Sequence, residues 1–401
     1  MALLPVLGIA VLIGIAWAIS TDRRRFPWRV VAWSLAIQVA FALLVLKSSG
    51  GAAVLSTVAN GVDLALRQAN AGIELLFGPL ADRERFGVIL AISALPAIVY
   101  VASVFSVLYY LGILQLAVVG MAKVMVRTFG TSGAETLAAA GNVFMGQTEA
   151  PLLVAPYLER MTRSELHAVM VSGMATVSGG MLAAYIALGV DARFLLAASL
   201  VNAPAALMMA KIIVPETGKP ETAGRVETQV ERTEVNLIDA AATGASAGMK
   251  LVLNVVAMLI AFLSIVALIN LPLGAVGLSL SDILGWVFAP IAFLVGVPAG
   301  EVSTVAAMLG KKVILNEFVA YLDLTALTAA GTLSAKSEVI ATFALCGFAN
   351  LGSVGIQIGG IGAIAPGRKK DLARLGLRAL AGGTLATLVT AAIAGMLAGT
   401  A

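Results

Sequence analysis

Two glutamates lie inside apolar sequence, and each directly follows a neutral polar residue. Glu149 follows Gln147 and Thr148, and Glu317 follows Asn316. An ionised carboxylate in the middle of a membrane costs about 2.5–3.5 kcal/mol on insertion scales, so such residues usually face a cavity and serve function. The alternative is a structural glutamate at a hairpin tip or at the membrane interface.

Further polar residues recur near a helix-breaking segment in the second half of the chain. Asn350 and Ser353 supply hydrogen-bond donors and acceptors, and Phe348 adds a flat apolar face, although plain helix packing would explain Phe348 equally well. No fixed cation accompanies this set, which favours a neutral, hydroxyl-rich ligand over an anion. Acid–base catalysis by a carboxylate pair is disfavoured. The single cysteine, Cys346, and the single histidine, His167, leave little for a metal site or a nucleophile–base pair.

The composition places the surrounding elements in a membrane. Hydrophobic residues make up 60% of the chain and charged residues only 12%, about half the charge of an ordinary soluble domain. The apolar segments are continuous rather than alternating, which indicates spanning helices of about 20 residues and not barrel strands. Nothing in the charge pattern indicates a nucleic-acid partner. The predicted partner is the lipid bilayer.

The apolar segments predict an all-α polytopic fold with eight transmembrane helices, two re-entrant hairpins and one interfacial helix. An amphipathic segment at about 58–77 is the interfacial helix, although a helix packed on the bundle fits nearly as well. Two interrupted apolar stretches, at about 130–156 and 283–309, are the expected hairpins. The eight spans are expected at about 3–20, 30–46, 87–114, 166–188, 194–214, 251–271, 338–364 and 375–397.

Basic residues predict the orientation. Arg23, Arg24 and Arg25 follow the first span, so the positive-inside rule places them in the cytoplasm, and eight crossings place both termini outside. The first span has no basic residue before it and is not expected to be a cleaved signal. We expect the inner membrane of a bacterium, with periplasmic termini. Lys311 and Lys312 fall on the outer side, which is a partial misfit.

An internal repeat links the two glutamates. In each half, an interrupted stretch and a Glu pair precede a Gly-rich broken span and then one more span, with Thr176 facing Asn350. The two copies start on opposite sides of the membrane, as in the inverted repeats of secondary transporters, where broken helices point their ends at a ligand. Chance similarity between Gly/Ala-rich helices is the alternative.

The repeat also predicts how the chain is divided. The N-terminal spans, the interfacial helix and the third span are mostly scaffold, and a polar cytoplasmic loop separates the two repeats from each other. The predicted segments are 1–115 for this scaffold, 116–214 for the first repeat, 215–249 for the loop, 250–280 for a sixth span in the scaffold and 281–401 for the second repeat.

Three strings resemble those of the concentrative nucleoside transporters, in the expected order. Residues 146–151, GQTEAP, resemble the first-hairpin motif of that family. Residues 310–321, GKKVILNEFVAY, resemble its most distinctive string, (G/A)-x-K-x3-N-E-F-V-A-Y, and residues 347–353, GFANLGS, are similar to its substrate segment in the seventh span. The resemblance covers nearly the whole chain, and the second string alone is highly specific.

This resemblance implies a homotrimer of bacterial eight-span protomers, each with its own site. The nucleobase would meet Gln147, Thr148, Glu149 acting through water, and Phe348. The ribose hydroxyls would bind Glu317, Asn350 and Ser353, and Met181 falls near the base, where the family often has a smaller residue.

The resemblance also implies a sodium site and a transport mechanism. Asn142 and Thr176 would bind sodium through their side chains, and Met145 and Val177 through their backbone. Hard cations prefer such oxygen ligands. The expected function is sodium-coupled nucleoside symport by alternating access, with uridine a typical substrate, no organic cofactor and no enzyme activity. Proton coupling, a different neutral polar solute and a passive channel remain as alternatives.

Overall fold

The structure is a computed structural model that describes residues 3–86, 89–226 and 234–398. Within these ranges every regular element is a helix, and no strand is formed. This confirms the all-helical class that the long apolar segments predict. The predicted start of the third span, Gly87, lies outside the described residues.

The first half of the chain forms helices α1 to α13. Their bounds are α1 Leu3–Ala18, α2 Trp28–Lys47, α3 Ser49–Arg67, α4 Ala69–Phe77, α5 Arg83–Phe86, α6 Leu90–Ser93, α7 Leu95–Tyr110, α8 Ile113–Phe129, α9 Gly133–Gly141, α10 Ala155–Leu158, α11 Arg163–Ala175, α12 Gly179–Ala187 and α13 Ala192–Ile213.

The second half forms helices α14 to α20. Their bounds are α14 Leu237–Gly274, α15 Leu280–Leu294, α16 Val302–Ile314, α17 Glu317–Ala329, α18 Ala335–Leu345, α19 Leu351–Ile364 and α20 Lys369–Ala398. Six segments among the described residues are long and apolar enough to cross a membrane, and α1, α15 and α19 are shorter apolar helices.

Burial separates two groups of helices. The most apolar windows of α11–α12, α13 and α20 are 89%, 89% and 78% buried, whereas that of α14 is only 6% buried. Helix α20 contacts α11, α13 and α18, and these four helices form the centre of the bundle. Helix α14 packs mainly on α7 and leaves most of its apolar surface uncovered, which only lipid or another chain can cover.

The first interrupted stretch is two short helices with a non-helical tip between them. Ser132 caps the start of α9 in a capping box. Its hydroxyl accepts from the Glu135 amide, and the Glu135 carboxylate accepts from the Ser132 amide. The helix ends at Gly141, and Gly146 and Pro151 prevent a regular helix through the tip before α10. At the base of this unit, Lys211 on α13 forms a buried ion pair of 2.6 Å with Glu135.

The second interrupted stretch has different bounds from those that the sequence predicts. Helix α15 runs without a break through Pro290, and the chain turns around Gly296 before α16. The tip that carries the second Glu pair lies beyond this stretch, at Leu315 and Asn316, between α16 and α17. Pro290 and Gly296 therefore belong to α15 and to its connection with α16. The tip that carries the second Glu pair contains neither proline nor glycine.

Two other predicted boundaries also shift. Helix α14 begins at Leu237, inside the segment 215–249 that reads as a polar loop, because Asn236 caps the helix by accepting from the amides of Ile238 and Asp239. The amphipathic segment 58–77 is two helices, α3 and α4, which meet at Gln68.

Both broken spans are interrupted at similar points. Helix α11 ends at Ala175 and α12 begins after the cap Ser178, while α18 ends at Leu345 and α19 begins after the cap Asn350. The two breaks touch each other. The Phe348 amide donates to the Thr176 carbonyl at 3.2 Å. A break at membrane depth is tolerated where its backbone groups are satisfied or line a cavity.

Candidate functional site

The tip between α9 and α10 contacts the second half of the chain. The Gln147 side-chain nitrogen donates to the Ser353 hydroxyl at 3.1 Å, and both residues are buried. The Gln147 side-chain oxygen is also buried, yet it has no hydrogen-bond partner in the described structure. Buried polar atoms are nearly always paired, so this oxygen marks a position where a ligand could donate.

Glu317 is placed by the tip between α16 and α17 and is held by residues from both halves. It is the first residue of α17, where the helix dipole favours a negative charge. Its two carboxylate oxygens accept from the Tyr185 hydroxyl at 2.9 Å and from the Asn350 amide nitrogen at 3.0 Å. Only 3% of Glu317 is exposed. A buried carboxylate between neutral donors can accept bonds from ligand hydroxyls.

Asn350 owes its position to the break in the seventh predicted span. Its side-chain oxygen caps α19 by accepting from the Ser353 amide at 2.8 Å, which leaves its nitrogen free to reach Glu317. Asn350 and Ser353 are thereby fixed on the same turn. Phe348, two residues earlier, is half-buried in the unwound segment. Of the three substrate residues predicted from this string, Asn350 contacts Glu317 directly and Ser353 is joined to Asn350.

The remaining residues of the first tip differ in their placement. Glu149 is exposed, and its carboxylate accepts from the Gly146 amide at 2.5 Å within the same tip. Thr148 is half-buried against Gly360 of α19. In the described part of the chain, direct hydrogen bonds join Gln147, but not Glu149, to the second half.

The residues of the implied sodium site lie where the first hairpin meets the first break. The Asn142 nitrogen donates to the Ser172 hydroxyl at 3.1 Å, but its fully buried oxygen has no partner among the described residues. The Thr176 hydroxyl donates to the Ser172 carbonyl at 2.8 Å, so its own lone pairs remain available. An unpaired amide oxygen beside a hydroxyl fits a hard cation such as sodium.

The tip that follows α9 also meets this break through the backbone, because the Gly179 amide donates to the Phe144 carbonyl at 3.0 Å. Val177 is fully buried in the break, and Met145 lies in the tip that follows α9. Met181 is buried on the first turn of α12 after the cap Ser178. No cluster of three or more His, Cys, Asp or Glu residues occurs in the described ranges.

Tyr185 contacts the candidate site, although nothing in the sequence indicates this. It is fully buried on α12, stacks against Tyr321 with ring centroids 4.4 Å apart, and donates to Glu317. A tyrosine four residues after Met181 in an apolar helix looks like ordinary packing. Gln357 on α19 is also missed. Its nitrogen donates to the Met170 carbonyl at 3.0 Å, and its buried oxygen is unpaired.

Long apolar helices packed around a buried polar site are typical of one class, the integral membrane transporters. Comparison with known families agrees. Residues 7–80 match the family described as the Na⁺ dependent nucleoside transporter N-terminus, residues 91–191 match the family described as nucleoside recognition, and residues 194–395 match the Na⁺ dependent nucleoside transporter C-terminus. The chain belongs to the family of sodium-dependent nucleoside transporters.

Relatives from bacteria and animals match nearly the whole chain. An uncharacterised transporter of Haemophilus influenzae is 45% identical over 98% of this chain and 97% of its own length. Sodium/nucleoside cotransporter 1 of Homo sapiens is 40% identical over 97% of this chain, which spans 63% of the human protein.

Solved structures of one relative, CNTnw, superimpose closely. Its inward-facing substrate-bound state matches with a TM-score of 0.95 and 43% identity over 99% of this chain and 98% of that one. A variant of CNTnw in an outward-facing state matches with a TM-score of 0.95 and 42% identity over 99% of each chain. The same fold therefore exists in both states, as alternating access requires.

Proposed function

We propose that this chain is a sodium-coupled nucleoside symporter that imports nucleosides such as uridine. The observation that carries the proposal is the buried site shared by both halves, in which Glu317 is bonded to Tyr185 and Asn350 while Gln147 is bonded to Ser353. The printed names of two relatives agree with this, since those from Mus musculus and Homo sapiens are both named sodium/nucleoside cotransporter 1.

In this proposal the ribose binds on the side of the second hairpin. Glu317, Asn350 and Ser353 accept from or donate to the ribose hydroxyls. Hydrogen bonds to a charged group contribute about 1.5–3 kcal/mol each, and a missing hydroxyl would leave a buried partner unpaired. The site would therefore discriminate against deoxyribose.

The nucleobase binds on the side of the first hairpin. The unpaired Gln147 oxygen and the Thr148 hydroxyl supply hydrogen bonds to the base edge, and Phe348 packs against its face. Glu149 is exposed and already bonded to Gly146, so it acts through water. In this proposal Met181, which is buried on the first turn of α12, limits the space for the base.

Sodium binds at the first break, through the side chains of Asn142 and Thr176 and the carbonyls of Met145 and Val177. The unpaired Asn142 oxygen supports this assignment. The ion contributes the driving force, since a cation moving down 100 mV gains about 2.3 kcal/mol before its concentration gradient is counted. Because the two breaks touch, an ion at one helps to order the other.

The moving unit consists of the two repeats, residues 116–214 and 281–401, and the scaffold consists of residues 1–115 and 250–280. Residues 215–249 connect them on the cytoplasmic side, and both termini are periplasmic. Three protomers assemble in the inner membrane through scaffold helices, and the largely uncovered apolar surface of α14 supports this arrangement. The mechanism is alternating access without covalent chemistry.

Uptake of labelled uridine into proteoliposomes tests the proposal. We expect accumulation against a gradient when an inward sodium gradient is imposed, and no accumulation with a proton gradient or with none. Accumulation driven by protons alone would replace sodium by a proton. Uridine uptake that only equilibrates would indicate a channel, and no uridine uptake under any gradient would indicate a different neutral solute.

A further inference from the structure

A buried ammonium group lies beside the substrate site and has no role in the proposal above. Lys312 on α16 is only 2% exposed, and its Nζ donates to the Ala344 carbonyl at 2.6 Å and to the Thr387 hydroxyl at 3.0 Å. The side chain is therefore inside the protein. Lys312 does not count as a charge on the outer surface, so it no longer conflicts with the positive-inside rule. No carboxylate of the described residues lies within ion-pair distance of it, whereas Lys311 binds Asp323 at 2.6 Å.

The position of this ammonium is the negative end of a broken helix. Ala344 is the next-to-last residue of α18, directly before the unwound segment that carries Phe348 and Asn350. The last carbonyls of a helix carry roughly half a unit of negative charge and have no intrahelical donor. A cation held there satisfies them and fixes the direction from which the unwound segment leaves the helix.

A buried charge of opposite sign, Glu317, lies five residues further along the chain. Its oxygens are bonded to the neutral donors Tyr185 and Asn350, and Asn350 is the last residue of the unwound segment that begins after α18. Lys312 binds one end of this short segment, at Ala344, and Glu317 binds the other, with no direct ion pair between them among the described residues. A cation placed in this way can balance the buried charge of the carboxylate without occupying the lone pairs that a ligand would need.

Among the described residues, no lysine or arginine nitrogen is hydrogen-bonded to the corresponding helix end in the first half. Helix α11 also stops at a break, after Ala175, but the polar side chain beside it is Asn142, whose buried oxygen is unpaired. One break therefore has an unpaired oxygen where a free cation fits, and the other has a cation supplied by the chain itself.

We propose that Lys312 is a positioning residue, a tethered cation that does at the second break what the sodium ion does at the first. It holds the end of α18, balances Glu317 and so orders the ribose side of the site. This inference rests on the proposed function, because the first break is compared as a sodium site. The ligand that it mimics is a small monovalent cation.

Chemical rescue tests this role in the purified full-length protein. Uridine binding is measured by calorimetry at saturating sodium for wild type, Lys312→Ala, Lys312→Met and the matched control Lys311→Met. We expect Lys312→Ala to weaken binding at least tenfold and ethylammonium chloride, compared with equal choline chloride, to restore most of the loss. Lys312→Met fills the space and should not respond, and Lys311→Met should remain within twofold of wild type. Binding within twofold of wild type by Lys312→Ala, or no recovery with ethylammonium, would overturn the proposal.

Thermal unfolding provides a second test that needs no nucleoside. If the charge of Lys312 balances Glu317, Lys312→Gln should melt at a lower temperature than the double variant Lys312→Gln/Glu317→Gln, which removes both charges. A double variant that melts at or below the single variant would show that Lys312 acts by packing alone. Because this comparison omits uridine, it stands even if wild type fails to bind uridine, and that failure would count against the proposed function instead.

Discussion

At the scale of single residues, the site combines one buried carboxylate with neutral polar groups whose hydrogen-bonding capacity is not fully used. Glu317 has two fixed donors, while the oxygens of Gln147, Asn142 and Gln357 have none among the described residues. Leaving a buried acceptor unpaired costs about 1–3 kcal/mol. Ligands that donate to these oxygens or coordinate them would remove this cost.

Removing the charge of Glu317 should weaken nucleoside binding. Glu317→Gln keeps the size of the side chain but replaces charged hydrogen bonds by neutral ones, so we expect a loss of about 1.5–3 kcal/mol, roughly 10–100-fold in affinity. Equilibrium binding of labelled uridine measures this. The exposed Glu159 offers a matched control, and Glu159→Gln should bind normally. Wild-type binding by Glu317→Gln would refute the ribose assignment.

Removing the Thr176 hydroxyl should affect sodium rather than nucleoside. Thr176→Val keeps the shape of the side chain but deletes one proposed sodium ligand, so the sodium concentration for half-maximal uptake should rise severalfold. Uptake at saturating sodium should remain near normal. Thr384 also donates to the carbonyl four residues before it, at 2.9 Å, but on α20. An equal rise in Thr384→Val would show that helix packing, and not ion binding, is responsible.

At the scale of elements, the two broken helices approach so closely that only glycine fits between them. A Cβ on Gly347 would lie 2.8 Å from the Ala175 carbonyl oxygen, which is backbone and cannot rotate away. Contacts as close as this force one break away from the other. The contact between the breaks is therefore a property of the backbone and of one glycine.

Substitution of this glycine should separate the two breaks. Gly347→Ala should destabilise the protein by about 1–3 kcal/mol through overpacking and lower uridine uptake, measured as melting temperature in detergent and as transport. Gly355 in α19 has no atom within 4 Å of its Cβ position. Gly355→Ala should be neutral or stabilising, since alanine favours a helix by about 1 kcal/mol over glycine. Equal melting temperatures for the two variants would contradict the close approach.

Polar residues inside apolar sequence locate the elements better than the apolar segments alone. The strings around Glu149, Glu317 and Asn350 identify the tips and the second break because polar residues inside apolar sequence are costly. The limits of the second hairpin are wrong because Pro290 reads as an interruption although α15 tolerates it. Tyr185 is missed since a single tyrosine gives no periodic signal. Its bond to Glu317 depends on tertiary packing.

At the scale of the whole molecule, the described structure is a bundle in which α11, α13 and α20 are largely buried, whereas α14 leaves most of its apolar surface uncovered. Leu253, Ile260 and Leu268 on α14 are 61%, 66% and 64% exposed in the single chain. Lipid or neighbouring protomers could cover them, and the proposed trimer assigns at least part of this surface to protomers. Apolar surface of this extent usually marks an interaction site.

The oligomeric state can be measured directly. Native mass spectrometry of the purified protein, released from mild detergent, should give the mass of three chains, with bound lipid as smaller increments. Uptake should accompany this species when the same preparation is reconstituted. A preparation that is monomeric, and yet transports, would remove the trimer from the account and leave lipid as the cover of α14.

The proposed mechanism requires sodium and nucleoside to bind to one connected site. The two breaks are joined by the hydrogen bond from the Phe348 amide to the Thr176 carbonyl. The most direct test is the affinity for uridine with and without sodium, in wild type and in Asn142→Ala. Coupling between sites is typically about 5–150-fold, so sodium should tighten uridine binding by this order in wild type and have almost no effect in Asn142→Ala. Uridine affinity that is independent of sodium in wild type, or equal coupling in the variant, would contradict the account.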